Sequence, residues 1–270
     1  MGSEMCIRDS GRFASKAPFP NQVGDMADIL IPTVAQGLMW ALMALGVYIT
    51  FRVLDIADLS VEGSFPLGAA VAATALVSGY GVTAAFLLAA IAGALAGIVT
   101  GILTTKLKIP PLLAGILTMI GLYSVNLHVM GKANVALLRV DTVFSYAAGM
   151  GLTSDMAMMA VGLVGVMLVG VILYWFFGTE LGTAIRATGC NSQMARAQGV
   201  NTNSMIVLGL LISNALVALS GALVCQANGF ADVGMGTGTI VIGLASVIIG
   251  EVLFLSLIHI SEPTRRTPIS

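Results

Sequence analysis

Long apolar runs separated by short polar segments dominate this 270-residue chain. A helix that crosses a bilayer needs roughly 20 mostly apolar residues, and most of the runs are close to that length. Glycines four residues apart, at Gly93, Gly97 and Gly101, give one run a small-residue face that lets helices pack closely in lipid. The pattern predicts an all-α polytopic transmembrane bundle of about seven spans. The spans lie at 29–51, 63–79, 82–105, 110–130, 155–177, 205–227 and 238–254.

Composition excludes several classes of protein. Hydrophobic residues make up 57% of the chain and charged residues 9%, whereas soluble domains have about 25% charged residues. Twelve Lys and Arg against thirteen Asp and Glu give no basic footprint for nucleic acid. The three cysteines, Cys6, Cys190 and Cys225, have no CxxC or metal-ligand spacing. We therefore expect a membrane protein with no disulfide framework, no metal site and no nucleic-acid partner.

The distribution of Lys and Arg predicts the orientation, because cytoplasmic loops carry an excess of basic residues. If the polar loop at 178–204 is cytoplasmic, alternation of the spans places five basic residues inside and two outside. The inner residues are Arg52, Lys106, Lys108, Arg186 and Arg196, and the outer ones are Lys132 and Arg139. The majority favours a cytoplasmic 178–204 loop.

The two ends of the chain differ from the middle. Met5–Ser10 and Leu255–Ile260 can be encoded by the two strands of one oligonucleotide, as in an assembled fragment bounded by a sequencing adapter. We therefore interpret residues 1–25 and 255–270 as non-native flanks and residues 26–254 as the transmembrane domain. We expect the natural reading frame to continue beyond this domain into further spans.

An internal repeat relates the first and sixth spans. The first span is followed by Ile56–Gly63 and the sixth by Phe230–Gly238, and each segment contains Ala-Asp-apolar before a glycine-containing break and another apolar run. The second copy begins five spans after the first, an odd number, so the two have opposite topology. Many transporters build a central pathway between such inverted repeats. The repeat therefore predicts a transport path at the two breaks.

Carboxylates are concentrated between the first two spans. Asp55, Asp58 and Glu62 lie there beside Ser60 and Ser64. Non-helical backbone at membrane depth is tolerated only where it is buried in protein or lines a cavity. The segment is therefore either a broken helix on a translocation path or an exposed cytoplasmic turn, and the sequence leaves both open.

Three polar residues lie within spans. Asn126, His128 and Asn214 are expected to face the bundle interior, because each is costly against lipid. Interhelical hydrogen bonding explains them more simply than substrate contact does, and His128 has no second ligand at metal-binding spacing. The candidate translocation path consists of Asp58, Ser60, Glu62, Ser64, Asn126, Asn214 and Asp232. The sequence contains no nucleophile, nucleotide-binding or metalloprotease motif, so we expect no catalysis on this chain.

The 178–204 loop is amphipathic. Asn191 or Ser192 can cap a short helix that Gly199 ends, and such a helix suits docking into a groove on another protein. The loop contains LGTAIRATG at 181–189 and ARAQGV at 195–200.

These motifs resemble the coupling loop of permease subunits of ABC importers of the branched-chain amino acid and ribose type. The resemblance extends to Asp58–Ala69 and Gly238–Glu251 and covers about residues 26–254. The stretch EGSFPLGA at 62–69 is most similar to a subgroup associated with aromatic amino acid uptake.

The resemblance implies a coupling helix at residues 189–199 that fits into a separate ATPase subunit. The coupling residues would be Arg186, Gly189, Ala195, Arg196 and Gly199. ATP and Mg²⁺ would bind to that subunit, with no cofactor on this chain. The other implied partners are a substrate-binding protein, a second permease copy or close relative, and the lipid of a bacterial-type cytoplasmic (inner) membrane.

We therefore interpret the chain as a permease subunit that imports a small solute by alternating access, and an amino acid is the solute that the resemblance favours. The alternative is an ion-coupled secondary transporter, for which Asp58, Glu62 and His128 would be the coupling residues. If the loop docks an ATPase, bulky substitutions of Ala195 and Gly199 should abolish uptake with assembly intact.

Overall fold

The computed structural model describes residues 22–137, 140–149, 151 and 153–261. Residues 1–21 and 262–270 of the predicted flanks, and the basic residue Arg139, lie outside this part of the chain. The helices are α1 (Gln22–Tyr48), continued by a π-helical turn at Ile49–Val53, α2 (Val61–Val77), α3 (Val82–Thr105), α4 (Pro111–Met130), α5 (Val143–Ala148), α6 (Ser154–Gly178), α7 (Glu180–Cys190), α8 (Ser192–Ala197), α9 (Thr202–Asn228) and α10 (Thr239–Ser261). Strands β1 (Asn134–Ala136) and β2 (Phe230–Asp232) pair antiparallel, and a 3-10 turn at Val233–Gly236 precedes α10.

The predicted all-α polytopic bundle is confirmed. Among the described residues, six helices are long and apolar enough to cross a membrane, and α2 is a shorter apolar helix. The helices run between two ends. We call the end with Arg52, Lys106, Lys108 and helices α7 and α8 the basic end, and the opposite end, with β1 and β2, the strand end.

Helix α9 is the centre of the bundle. In its most apolar stretch 61% of the residues are buried, against 11% in α6. Helix α3 packs antiparallel to it, and Gly93, Gly97 and Gly101 abut the α9 backbone or side chains along this contact. The predicted small-residue face therefore forms the contact between α3 and α9, where a β-carbon would collide with the neighbouring helix.

The outer helices expose apolar and aromatic side chains. Tyr174 and Trp175 are exposed near the basic end of α6, and Tyr80 and Tyr146 are exposed near the strand end. Tyr and Trp prefer the two interfaces between membrane and water. This distribution places the bundle across a membrane with its basic and strand ends at opposite surfaces.

Candidate functional site at two helix breaks

We call the non-helical segment at 54–60 the first break. It runs from the basic end to the middle of the bundle. Leu54 contacts Gly209 of α9, and Asp58 reaches the amide of Asn214 further along the same helix. Because a helix rises about 1.5 Å per residue, Asn214 lies roughly 18 Å from the start of α9 and roughly 21 Å from its end. Helix α2 therefore begins near the middle of the membrane. Asp58 is 1% exposed, which fits the predicted broken helix and contradicts the predicted exposed turn.

A buried hydrogen-bond network holds the first break against α9. Asn214 Nδ2 donates to Asp58 Oδ2 at 3.0 Å, and Ser60 Oγ donates to Asn214 Oδ1 at 3.1 Å. The Ser60 N–H donates to Asp58 Oδ1 at 2.8 Å. All three side chains are buried, so they satisfy most of one another's polar atoms, and Asn214 Nδ2 also donates to the Leu210 carbonyl at 3.1 Å. The network fixes where α2 begins.

We call the segment at 229–238 the second break. It runs from the strand end towards the middle of the bundle. Asp232 Oδ1 accepts the backbone N–H two residues later at 2.6 Å, which starts the 3-10 turn. Gly236 then packs against the Glu62 carbonyl of α2, so closely that a β-carbon would overlap it. The Gly238 N–H donates to Glu62 Oε1 at 3.1 Å. Helix α10 therefore begins beside the start of α2.

The two breaks have opposite directions, as the predicted inverted repeat requires. Helix α2 continues from the middle of the bundle towards the strand end, where Tyr80 follows it. Helix α10 runs beside α1 towards the basic end, where Glu251 forms an ion pair with Arg52. Asp58 and Asp232 have the same local role, since each accepts the backbone N–H two residues on.

A cavity of about 390 Å³ lies where the start of α2, the middle of α4 and the 3-10 turn meet. Of the predicted path residues, Glu62 and Asn126 line it, together with Tyr123 and Thr237. Asn126 is fully buried and donates from Nδ2 to the Gly63 carbonyl at 3.3 Å. Its Oδ1 has no hydrogen-bond partner among the described residues. The cavity therefore combines the Glu62 carboxyl group with the buried Asn126 amide at the depth where both breaks meet.

The other predicted path residues lie elsewhere. Ser64 is buried within α2, where its hydroxyl donates to the Val61 carbonyl at 3.4 Å. Asp232 is at the strand end, and its Oδ2 accepts from Asn134 Nδ2 at 3.3 Å. The expectation that His128 faces the interior is wrong. It is exposed on α4, because the helix turns it away from the buried face that carries Asn126.

The 178–204 loop folds as two helices rather than the predicted single helix at 189–199. Asn191, at φ −156° and ψ 95°, ends α7 and starts α8. Its Oδ1 accepts the N–H groups of Gln193 and Met194 at 3.1 and 3.0 Å, so the predicted helix cap is confirmed. Gly199 follows α8 at φ +84°, the left-handed conformation that glycine adopts at a helix C-terminus.

The predicted coupling residues face in different directions. Ala195 is 5% exposed and packs within this chain, so the prediction that a bulky residue there leaves assembly intact is not supported. Arg186 lies over the Phe177 ring at 5.1 Å and donates to the Phe177 carbonyl, and Arg196 Nε donates to Thr202 Oγ1 at 2.8 Å. Both arginines therefore fasten the loop to the spans. Met194 is the large apolar side chain that α8 exposes, at 60%.

Gly189 connects the loop to the first break. A β-carbon at Gly189 would overlap the Val53 carbonyl, so α7 lies directly against the residue before the break. A polar cavity of about 480 Å³ beside this contact is lined by Asp55 and Asn191, among others. Helix α7 and the residue before the first break are therefore in direct backbone contact.

Sequence reasoning missed two residues that line the central cavity. Tyr123 lies on α4, and Thr237 follows the 3-10 turn. An isolated amide such as Asn126 is a signal in an apolar span, but a tyrosine is an ordinary residue there, and Thr237 is one small polar residue in a glycine-rich segment. Only the packing of α4 beside the second break brings the two together.

Known proteins with similar sequences identify the family. Residues 29–260 match the family of the branched-chain amino acid transport system permease component. The chain belongs to this permease family. It is 43% identical over 235 residues to a tyrosine transport system permease protein of Clostridioides difficile (strain R20291), covering 87% of this chain and 77% of that protein.

Other relatives of the permease are more distant. An uncharacterised protein of Rickettsia prowazekii (strain Madrid E) is 37% identical over 86% of this chain and 80% of its own length. The autoinducer 2 import system permease protein LsrC of Yersinia pestis is 29% identical over 79% of this chain and 59% of its own length. No solved structure matches the permease. The family makes this chain a multi-pass membrane protein and the permease component of an ABC-type transporter.

Proposed function

We propose that this permease is the membrane-spanning subunit of an ATP-driven importer for an amino acid, in a bacterial cytoplasmic membrane. The similarity to a tyrosine transport permease supports an amino acid as the solute. The observation that carries the proposal is the meeting of the two breaks at Glu62 and Gly238. Transporters commonly place their substrate path where paired helix breaks meet near the membrane midplane.

The partners follow from what this chain lacks in its own sequence. It has no glycine-rich nucleotide-binding loop, so ATP and Mg²⁺ would bind to a separate ATPase subunit, and this chain would carry no cofactor. A substrate-binding protein would deliver the solute at the strand end. The cavity is bordered by exposed Ile120 and Tyr123, and a second permease copy packed there would close the path.

The basic end is the proposed ATPase docking surface. Helix α8 exposes Met194 there, and Gly189 of α7 touches Val53 just before the first break. We propose that closure of the ATPase moves α7 and α8, that Gly189 displaces the first break, and that the start of α2 shifts relative to α10. The excess of basic residues at this end supports a cytoplasmic location for it.

Two findings count against the ion-coupled alternative. His128, one of its three coupling residues, is exposed on the bundle surface. Asp58, the second, is committed to Ser60 and Asn214 through both carboxylate oxygens. Only Glu62 remains in a cavity, and the family is that of ABC permeases.

The test is ATP-driven uptake of radiolabelled L-tyrosine by proteoliposomes that contain the permease, its ATPase and its binding protein. We expect Met194→Asp to reduce both uptake and co-purification of the ATPase by about tenfold, because a charge replaces an apolar anchor. The control is Met156→Asp, since Met156 is also exposed but lies at the strand end. Normal co-purification of the Met194→Asp permease with its ATPase would contradict the docking surface.

A further inference from the structure

The central cavity is unusual in the chemistry of its polar atoms. Glu62 contributes a carboxylate, of which Oε1 already accepts one N–H, from Gly238. No Lys, Arg or His within the described residues forms an ion pair with it. A carboxylate at membrane depth is costly without a positive partner. The cavity therefore holds a carboxyl group for which this part of the chain supplies no positive partner.

Asn126 adds a second acceptor. Its Nδ2 must face the Gly63 carbonyl, because a carbonyl can only accept a hydrogen bond. That orientation directs Oδ1 away from the bond, and Oδ1 has no partner among the described residues although Asn126 is fully buried. An unsatisfied buried acceptor costs stability unless a donor arrives. Asn126 lines the cavity, and because its Oδ1 is enclosed, a donor in the cavity would reach it after a small shift of α2 relative to α4.

The ring of Tyr123 lines the same cavity and is 54% exposed. The face of an aromatic ring attracts a cation. The carboxylate, the amide oxygen and the ring thus share one preference, which is a positively charged group that donates hydrogen bonds. A primary ammonium has three donors and one positive charge, and it matches all three side chains.

We propose that this cavity binds the ammonium group of the transported solute, with Glu62 as the counter-charge, Asn126 Oδ1 as a hydrogen-bond acceptor and Tyr123 as a cation–π partner. The inference deepens the proposed function, because it rests on the cavity being part of the import path. It assigns the site to solutes with a free primary amine. A shift of α2 relative to α10 would open or close the site, because the Glu62 side chain also binds the Gly238 N–H at the start of α10.

The test measures occupancy of the cavity directly in the full chain in lipid nanodiscs. Ile120 lines the cavity and is 60% exposed, so Ile120→Cys in a background without Cys6, Cys190 and Cys225 reports access through its rate of reaction with a maleimide. The probes are L-tyrosine, tyramine, which keeps the amine and lacks the carboxylate, and N-acetyl-L-tyrosine, which lacks the free amine. Sodium chloride alone is the fourth probe.

We expect L-tyrosine and tyramine to protect the cysteine introduced at position 120, and N-acetyl-L-tyrosine and sodium chloride not to protect it. Glu62→Gln and Asn126→Leu should each raise the amine concentration needed for half-maximal protection by about tenfold or more, as removal of a charge-assisted contact does. The matched control Asn203→Leu changes an exposed asparagine at the basic end, outside the cavity, and should leave protection unchanged.

Several outcomes would overturn the site. Equal protection by N-acetyl-L-tyrosine, protection by sodium chloride alone, absence of protection by both amines, or an unreactive thiol in the Ile120→Cys variant would each contradict it. Failure of the import proposal is read separately, from ATP-driven uptake in proteoliposomes. Protection by amines without uptake would leave the ammonium site standing and reject the importer.

Discussion

The two breaks share one local motif and differ in what surrounds it. In the first, Asp58 is buried and both carboxylate oxygens are bound, one by Asn214 of the central helix. In the second, Asp232 is partly exposed and is bound by Asn134 beside the short sheet. The same cap is therefore built into the core in one copy and lies at the surface in the other. Two breaks can therefore share the same local backbone geometry while their aspartates differ in burial and in how much they contribute to stability.

The largest difference should appear in stability. Asp58→Ala leaves donors on Ser60 and Asn214 buried without partners, and we expect it to lower the free energy of unfolding by about 3 kcal/mol. Asp232→Ala removes a partly exposed cap and should cost about 1 kcal/mol or less. Unfolding of the two variants in detergent, followed by circular dichroism against denaturant, compares them. Equal losses would mean that the two breaks are equally buried.

The second-largest difference concerns uptake, because the two breaks differ in their contact with the proposed ATPase docking surface. Only the first break is preceded by a residue, Val53, that α7 touches. Gly189→Val should displace this contact and destabilise the fold by about 2 kcal/mol, with a larger fractional loss of uptake than of folded protein. Gly178→Ala is the control, because a β-carbon there meets nothing within 4 Å. Both are measured as uptake per folded permease, and an unchanged ratio for Gly189→Val would contradict coupling through this contact.

The rate at which a thiol at each break reacts with a water-soluble reagent compares the burial of the two breaks without a measurement of stability. In the cysteine-free background, Asp232→Cys should react with a membrane-impermeant maleimide added at the strand end. Asp58→Cys should react roughly tenfold more slowly or not at all, because the side chain at this position is fully enclosed. Comparable rates would show that water reaches both breaks equally.

The smallest effect concerns the surface partner of the second break. Asn134→Ala removes one exposed hydrogen bond to Asp232, and we expect a loss of about 0.5 kcal/mol. Chemical denaturation of the variant checks this value. A loss as large as that of Asp58→Ala would show that the sheet, rather than the contacts with α2, holds the second break.

Much of the fold follows from local sequence. The spans, the glycine face of α3, the Asn191 cap and the Gly199 helix end each depend on residues close together in the chain, and each prediction is confirmed. The repeat was detectable because Ala-Asp-apolar recurs before a glycine. These features reflect hydrophobic length and backbone geometry, which short segments encode.

The site depends on contacts that local sequence does not encode. The inward face of Ala195, the outward face of His128 and the meeting of Glu62 with Gly238 are set by how helices pack, over separations of up to 176 residues along the chain. A periodic pattern cannot choose faces in spans that are apolar on all sides. The separation of Asp58 from the cavity that Glu62 lines could therefore be seen only in the folded bundle.

The most direct test of the central claim is a distance measurement between the two breaks. Glu62 and Thr237 line one cavity, whereas Tyr80 is exposed at the strand end. In the cysteine-free background, a short bifunctional thiol reagent should link Glu62→Cys to Thr237→Cys and should not link Tyr80→Cys to Thr237→Cys, with the linked peptides detected by mass spectrometry. Linkage of position 237 to position 80 in place of position 62 would place the second break at the membrane surface and contradict the meeting of the two breaks.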